Sequence, residues 1–382
     1  MITKSSKKRA DEAAKNGSAP HQCFCGHTSR VPLMLCCSLI FTFLSVLSHH
    51  AFTVSLMFRS LSPNCTTARN TPSHERMNRL CDLIDRKIDD GTFVPMVNAA
   101  NSSMRQLGKF LVVFVYGIST FLAFTSFFII IPYEQLYKPG WLLATLAIFG
   151  FYFLINIQYH YYKARTIPPV ANPGEEGDAF CDKCNYWKSD RAHHCSVCER
   201  CVLGMDHHCI WINQCVGSHN HRHFFLFVAN LTLAAGIIIF AGYQSFYDHL
   251  FLEYSSNTYC TTILEHAPLQ DIICDYDGFA RTSVVFCYLL SGILMVMVGG
   301  LTLWNVYLIS IGCTYIDYLK LAGSKKKISA RNRLNKGFKS NWKNFLGLRR
   351  NRTFFRCVIM PSTLPPVLYE NINTRPDVFD VV

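Results

Sequence analysis

Apolar positions in this chain gather into long blocks. Phe110–Ile131 carries no charged residue, and neither do Trp141–Tyr162, Phe224–Tyr247 or the stretch from Thr282 to Ile316. Each is about the 20 residues a helix needs to cross a hydrocarbon core. In lipid the backbone must satisfy itself internally, so each block is read as a helix. Four such runs fit poorly with the alternative, the buried helices of a soluble protein. The pattern predicts an α-helical polytopic membrane protein with four core transmembrane helices. A fifth uncharged run, Pro32–Phe58, follows a basic N-terminus. It reads as a cleaved signal, an additional span or an interfacial segment.

The polar blocks between the spans orient them. From Tyr318 to Arg356 there are thirteen Lys/Arg and no acidic residue, whereas Asp248–Arg281 holds six acidic residues and a single basic one, Arg281. By the positive-inside rule the tail is cytosolic and that loop luminal, so the segment between the second and third spans is cytosolic too. The chain then divides into an N-terminal region (1–108), spans one and two (109–167), a cytosolic domain (168–223), spans three and four with luminal loop 248–281 (224–316), and a basic cytosolic tail (317–382). Residues 168–180 read as a linker. No internal repeat stands out. Cys260 and Cys274 are a candidate luminal disulfide pair.

Composition agrees with the membrane reading. Half the residues are hydrophobic, only 16% are charged, and mean hydropathy is +0.16. The net charge of +12 suits anionic lipid at the cytosolic face, and nucleic acid is not the expected partner. Seven of the 18 cysteines lie between Cys181 and Cys215, interleaved with four histidines. That clustering favours metal sites in a reducing compartment over a disulfide framework.

The segment reads CDKCNYWKSDRAHHCSVCERCVLGMDHHCIWINQCVG, residues 181–217. Zinc takes four ligands, and a CxxC turn places two thiolates on one ion. Cys181/Cys184 and Cys195/Cys198 seed two sites. The remaining candidates are His193, His194, Cys201, His207, His208, Cys209 and Cys215. Two sites use eight of these eleven groups, so three are left over, and spacing alone does not say which.

The pattern C-x2-C-x9-H-C-x2-C-x2-C-x4-D-H-H-C-x5-C, with Asn220 and Phe224 beyond it, resembles the DHHC protein S-acyltransferases, the palmitoyltransferases. The similarity covers roughly residues 105–350, including the order of two spans, this domain, two spans and tail. Carried over position by position, the resemblance implies two structural zinc ions, one held by Cys181, Cys184, His194 and Cys201, the other by Cys195, Cys198, His208 and Cys215. It leaves Cys209 as the nucleophile, with His207 as its base and Asp206 orienting that base. Lys188 and Arg191 match positions that contact the CoA headgroup of an acyl-CoA co-substrate, and Trp211 lies beside the thiol. The acceptors implied are cysteines of membrane-associated proteins, in the endoplasmic reticulum or Golgi. His193 packs rather than reacts, and His219, His221 and His223 read as interfacial.

Some positions depart from the family. Ile210 and Ser189 stand where it usually has proline, and Thr314-Tyr315-Ile316-Asp317 stands where it has Thr-Thr-x-Glu. The last change bears on how that motif docks near the thiol. WNVYLIS (304–310), Asn341–Gly347 and the MPSTLPP stretch are similar to the subgroup of the sixteenth mammalian member. A catalytically inactive membrane zinc-domain scaffold would not need the Asp206-His207-Cys209 set. A zinc transporter predicts ionisable residues inside the spans, and the four runs hold no Asp, Glu, Lys or Arg.

Overall fold

The computed structural model describes residues 93–174, 179–189, 191–251, 273–274, 278–322, 335–348 and 352–361. The apolar run Pro32–Phe58 lies outside them. Among the described residues four helices are long and apolar enough to cross a membrane. Helix α1 (Phe93–Thr125) continues through a π-turn, Ser126–Ile130, into Ile131–Glu134. Pro132 has no N–H to give the carbonyl four residues back, and the turn before it widens accordingly. Helix α2 spans Gly140–Thr166, α3 His221–Ala241 and α5 Phe279–Ile311; a short α4, Tyr243–Phe251, follows α3.

Three span limits differ from the hydropathy reading. The first helix begins at Phe93, well before the apolar run starts at Phe110. The third stops at Ala241 because Gly242 caps it, so Tyr243–Tyr247 belongs to α4. The fourth stops at Ile311, where Gly312 turns left-handed at φ 71°, a conformation glycine adopts without the clash a Cβ brings. Ile316 therefore falls in a new helix, α6 (Tyr315–Ala322).

Helix α3 is central, packed along α2 on one side and α5 on the other. Of its apolar window 39% is buried within the protein, against 17–22% for the other three, whose remaining faces are left for lipid. At the far ends of α1 and α3, Asp248 accepts from Tyr133 (2.7 Å), Tyr137 (2.6 Å) and Gln244 (2.8 Å), and Glu134 pairs with Lys138 and accepts the Ser245 N–H at 2.8 Å. Buried charge at such depth needs partners of this kind. Cys274 is disulfide-bonded, and Cys260 lies outside the described residues.

His221 and His223 are buried rather than interfacial. His221 Nε2 lies 3.1 Å from Asn305 Oδ1 on α5, and His223 Nδ1 lies 2.9 Å from His160 Nδ1 on α2. Both sit on the first turn of α3, where helix packing covers polar side chains that find partners. Helix α7 (Phe338–Phe345) docks on the same bundle: Asn341 Nδ2 donates to Ser310 O at 2.9 Å and Trp342 Nε1 to Ser310 Oγ at 3.1 Å. Phe345 and Leu346 pack on Phe225, Leu226 and Ile309.

The domain between α2 and α3 consists of three antiparallel hairpins: β1–β2 (Ala179–Cys181, Tyr186–Lys188), β3–β4 (Ala192–Cys195, Arg200–Leu203) and β5–β6 (His207–Cys209, Gln214–Val216). Part of the expected linker belongs to this domain. Val170 bridges Val202, Ala171 donates to Cys201 O at 3.0 Å, and Pro169 O accepts from Leu203 at 2.9 Å. Asn220 staples the domain to the bundle, donating to Ala164 O (2.8 Å) and Cys215 O (2.9 Å) while accepting from Gly217 N (2.9 Å).

The extra length of α1 lies against the third hairpin. A Cβ at Gly108 would stand 2.3 Å from Asn213 Oδ1 and 3.0 Å from its Cβ. Gly108→Leu is therefore expected to force α1 off the hairpin and cost roughly 1–3 kcal/mol, read as a lowered Tm of the purified protein. An unchanged Tm would mean the contact is dispensable.

Candidate functional site

The three hairpins are copies of one another at a spacing of fourteen residues. Cys181, Cys195 and Cys209 end their first strands, since 181 + 14 = 195 and 195 + 14 = 209, and each faces its partner across the turn, Tyr186, Arg200 and Gln214. Each turn is closed by a left-handed residue four places after that cysteine: Asn185 (φ 56°), Glu199 (φ 54°) and Asn213 (φ 50°). Three places after the cysteine stand Cys184, Cys198 and Ile212. On the second and third hairpins, His194 faces Cys201 and His208 faces Cys215.

This repetition builds two clusters that could each hold a metal ion. The turn thiols of the first hairpin meet the His/Cys pair across the second, and those of the second meet the pair across the third. Cys181, Cys184, His194 and Cys201 form one group and Cys195, Cys198, His208 and Cys215 the other, with all donor atoms within 4.8 Å of one another. In the first, His194 Nδ1 lies 3.7 Å from Cys181 Sγ and 3.2 Å from Cys184 Sγ. In the second, His208 Nδ1 lies 3.7, 3.3 and 3.6 Å from the sulfurs of Cys195, Cys198 and Cys215.

The third turn breaks the rule. Its second position is Ile212, fully buried, and among the described residues no fourth hairpin follows to offer a His/Cys pair. Instead the turn carries Cys209 into an apolar cluster with Ile157 and Tyr161 of α2 and Phe224, Phe227 and Val228 of α3. Cys209 is 8% exposed and belongs to neither metal group.

Comparing AHHC (192–195) with DHHC (206–209) shows what else the third copy changes: Ala192 is replaced by Asp206. Asp206 is buried, and its Oδ2 accepts from His207 Nδ1 at 2.8 Å while its Oδ1 accepts the Tyr315 N–H at 2.6 Å. Burial opposes ionisation of this carboxyl, but the His221 charge and the His207 hydrogen bond outweigh it and hold it at about 2. His207 also hydrogen-bonds the Cys209 sulfur, and its ring packs edge-on against Phe224 at 5.3 Å. Burial disfavours imidazolium, yet Asp206 and Cys209 together raise His207 well above the usual imidazole range. Cys209 moves the other way. Burial raises it, and the His207 contact, helped by the backbone N–H groups of Ile212 and Trp211, lowers it overall. His193, the matching histidine of the second copy, has no such carboxylate; it lies 3.4 Å from Lys320 Nζ.

The altered Thr-Tyr-Ile-Asp motif still docks. Thr314 N donates to Asp317 Oδ2 at 3.1 Å and Asp317 N to Thr314 Oγ1 at 3.2 Å, the reciprocal pairing of a capping box at the start of α6. The shorter Asp317 still reaches Arg191 at 2.9 Å, and Tyr315 serves through its backbone N–H, which any residue but proline supplies. Lys188 Nζ donates to Ala192 O at 2.8 Å. Trp211 packs beside the cluster that holds Cys209, and its carbonyl accepts from Tyr161 at 2.8 Å.

Below that cluster, an apolar cavity opens among the helices. Phe153, Ile157 and Leu231 line it nearest Cys209, and Ile130, Glu134 and Gly242 line its far end. Its near wall shares Ile157 with the cluster around the thiol. The sequence reading picked out Phe224 but not Tyr161 or Ile212, which also shape the site. The fourteen-residue period was the available signal for Ile212, because it marks where a second turn cysteine is missing.

Residues 174–322 match the family model described as DHHC palmitoyltransferase. The chain is 32% identical to the palmitoyltransferase ZDHHC16 of Mus musculus over 286 residues, 72% of this chain and 77% of the relative. It is 31% identical to the human protein of that name over 298 residues, 72% of this chain and 78% of the relative. The zebrafish palmitoyltransferase ZDHHC16A aligns over 379 residues at 28% identity, 90% of each chain.

Proposed function

Because the chain belongs to the DHHC palmitoyltransferase family, we propose that it is a multi-pass membrane protein S-palmitoyltransferase whose acyl group passes through Cys209. The observation that carries this reading is the Asp206–His207–Cys209 relay, set outside both metal clusters and against the apolar cavity.

The clusters fit zinc. Bonds of about 2.3 Å to sulfur and 2.0 Å to nitrogen put the edges of a tetrahedron at ~3.5–3.8 Å; seven of the donor separations run from 3.2 to 3.7 Å, and all lie within 4.8 Å. Three cysteines and one histidine per site are a closed structural set. Zinc bound there supplies folding energy and neutralises thiolates. The protein's own contribution is to seat His208 in the second site so that its neighbours His207 and Cys209 are held rigidly.

In the first step the Cys209 thiolate attacks the thioester carbonyl of palmitoyl-CoA, and the CoA thiolate leaves, taking the proton held on His207. In the second step a substrate cysteine gives its proton to His207 and attacks the Cys209 thioester, releasing the enzyme thiolate. One thioester is exchanged for another, so neither step is strongly uphill. Asp206 holds the imidazole tautomer and stabilises its charge. The cavity receives the acyl chain, and Trp211 flanks its mouth. Lys188 and Arg191 place positive charge beside the CoA phosphates, with Arg191 anchored through Asp317. Acceptors are cysteines of membrane-associated proteins that reach Cys209 at the cytosolic face. The charge pattern supports a cytosolic metal domain and C-terminus, and the resemblance supports the endoplasmic reticulum or Golgi. No observation favours the inactive scaffold.

The test is to incubate purified protein with labelled palmitoyl-CoA and then add a cysteine peptide. Hydroxylamine-sensitive label on the protein that then moves to the peptide is the expected result. Label on neither, with both metals bound, would sink the proposal. Asp317→Asn is expected to slow single-turnover acylation several-fold by loosening Arg191 and α6, whereas Asp317→Glu should largely restore it; equal rates for all three would show that this docking is unimportant.

A further inference from the structure

A second cleft opens on the other face of the third hairpin, where α1 lies against it. Ser102, Arg105, Gln106 and Lys109 fall at the three-and-four spacing of one helix face. They face Arg200 at the start of β4 and Gln214 at the start of β6 across the cleft. None of these residues takes part in the relay or ligates metal.

Three features point to what fills it. The first is charge. Arg105, Lys109 and Arg200 line the cleft, and among the described residues the one carboxylate paired with any of them is Glu199, 2.9 Å from Arg105. Both partners of that pair are well exposed, at 41% and 65%, so it is weak and screened. An excess of positive charge remains. The second is an unanswered donor. His208 lines the cleft, and because its Nδ1 faces the cysteines of the second cluster, its Nε2 carries the proton. A metal-bound imidazole almost always donates its second N–H to an acceptor. Here Nε2 is buried beneath the cleft with no acceptor among the described residues. The third is depth. Lys109 immediately precedes Phe110, where the uncharged run begins, so the cleft lies at the level of lipid headgroups.

We infer that this cleft binds the phosphate monoester of an anionic phospholipid headgroup. A monoester carries nearly two negative charges and three acceptor oxygens, which matches several converging cationic donors better than the single charge of a phosphodiester. Its place between α1 and the hairpin that presents Cys209 makes it a clamp: the headgroup neutralises repulsion between Lys109 and Arg200 and presses Gly108 against Asn213. The acyl donor's own phosphates are a different source of the same chemistry, and the experiment separates them.

The full chain, purified with both metals bound, would be mixed with phosphatidylinositol 4-phosphate, phosphatidylserine or phosphatidylcholine and its retained lipid counted by native mass spectrometry. The expected result is about tenfold preference for phosphatidylinositol 4-phosphate over phosphatidylserine. Lys109→Gln should lose that preference while keeping two metals, and Lys109→Arg should recover it. Equal retention of the two anionic lipids, or undiminished preference in Lys109→Gln, would overturn the inference. So would displacement of the lipid by free CoA or inorganic phosphate, because the cleft would then belong to a soluble anion.

Discussion

Cys209→Ser is expected to abolish the hydroxylamine-sensitive acyl-enzyme, lowering acyl transfer by at least ~10⁴-fold. A serine hydroxyl stays protonated beside His207, whereas the thiol is pulled towards thiolate by that histidine and by the N–H groups of Trp211 and Ile212. The variant should still bind two metals, since Cys209 lies in neither cluster, and its Tm should hardly move because the replacement is nearly isosteric. His207→Ala is the companion: metal content intact, acylation lost. Residual acylation of Cys209→Ser at more than a few per cent of wild type would point to a different nucleophile. A fall to one metal per chain would place Cys209 among the ligands.

Removal of one ligand from the second cluster should act in the opposite order, structure first and chemistry second. His208→Ala, or Cys198→Ser, leaves three donors and an incomplete tetrahedron. Structural zinc contributes about 10–16 kcal/mol to small domains of this kind at neutral pH. The hairpins have little else to hold them, since each strand spans only three or four residues. We expect metal content to fall from two to about one, the third hairpin to become protease-sensitive and acylation to disappear with it. Strong chelator should produce the same sequence in wild type. Full activity at one metal per chain would show that the second site does not position Cys209. His207 and His208 are neighbours, so the contrast between their alanine variants isolates chemistry from folding within a single strand.

The four spans were legible because their signal is local. A run of about 20 uncharged apolar residues has one stable form in lipid, whatever its neighbours. The helix ends were less legible. Gly242 and Gly312 stop α3 and α5 inside runs that stay uncharged beyond them, so hydropathy overran both. Helix α1 begins in polar sequence, which hydropathy does not register at all.

The ligand sets are a middle case. The CxxC pairs announced themselves, but the choice of partners required resemblance, because His194 and Cys201 come together only across a hairpin register. That register repeats every fourteen residues, and the reading of the sequence as free of internal repeats missed it. With the period in view, Cys209 is the turn cysteine of a copy whose second turn position is Ile212 and which, among the described residues, has no neighbouring fourth hairpin.

By itself, then, the sequence determined a four-helix membrane protein with a cysteine-histidine domain between the second and third spans, its spacing narrowed the spare groups to three, and the family resemblance singled out the thiol. These depend on burial in lipid and on short-range ligand geometry, and both act over a few residues. Only the tertiary structure decided that Asp206 is gripped by Tyr315, over a hundred residues away, that His221 and His223 are buried against α5 and α2, and that the apolar cluster around Cys209 shares Ile157 with the wall of a cavity among several helices. Those relations join elements far apart in the chain. They depend on packing, which no local pattern of residues encodes.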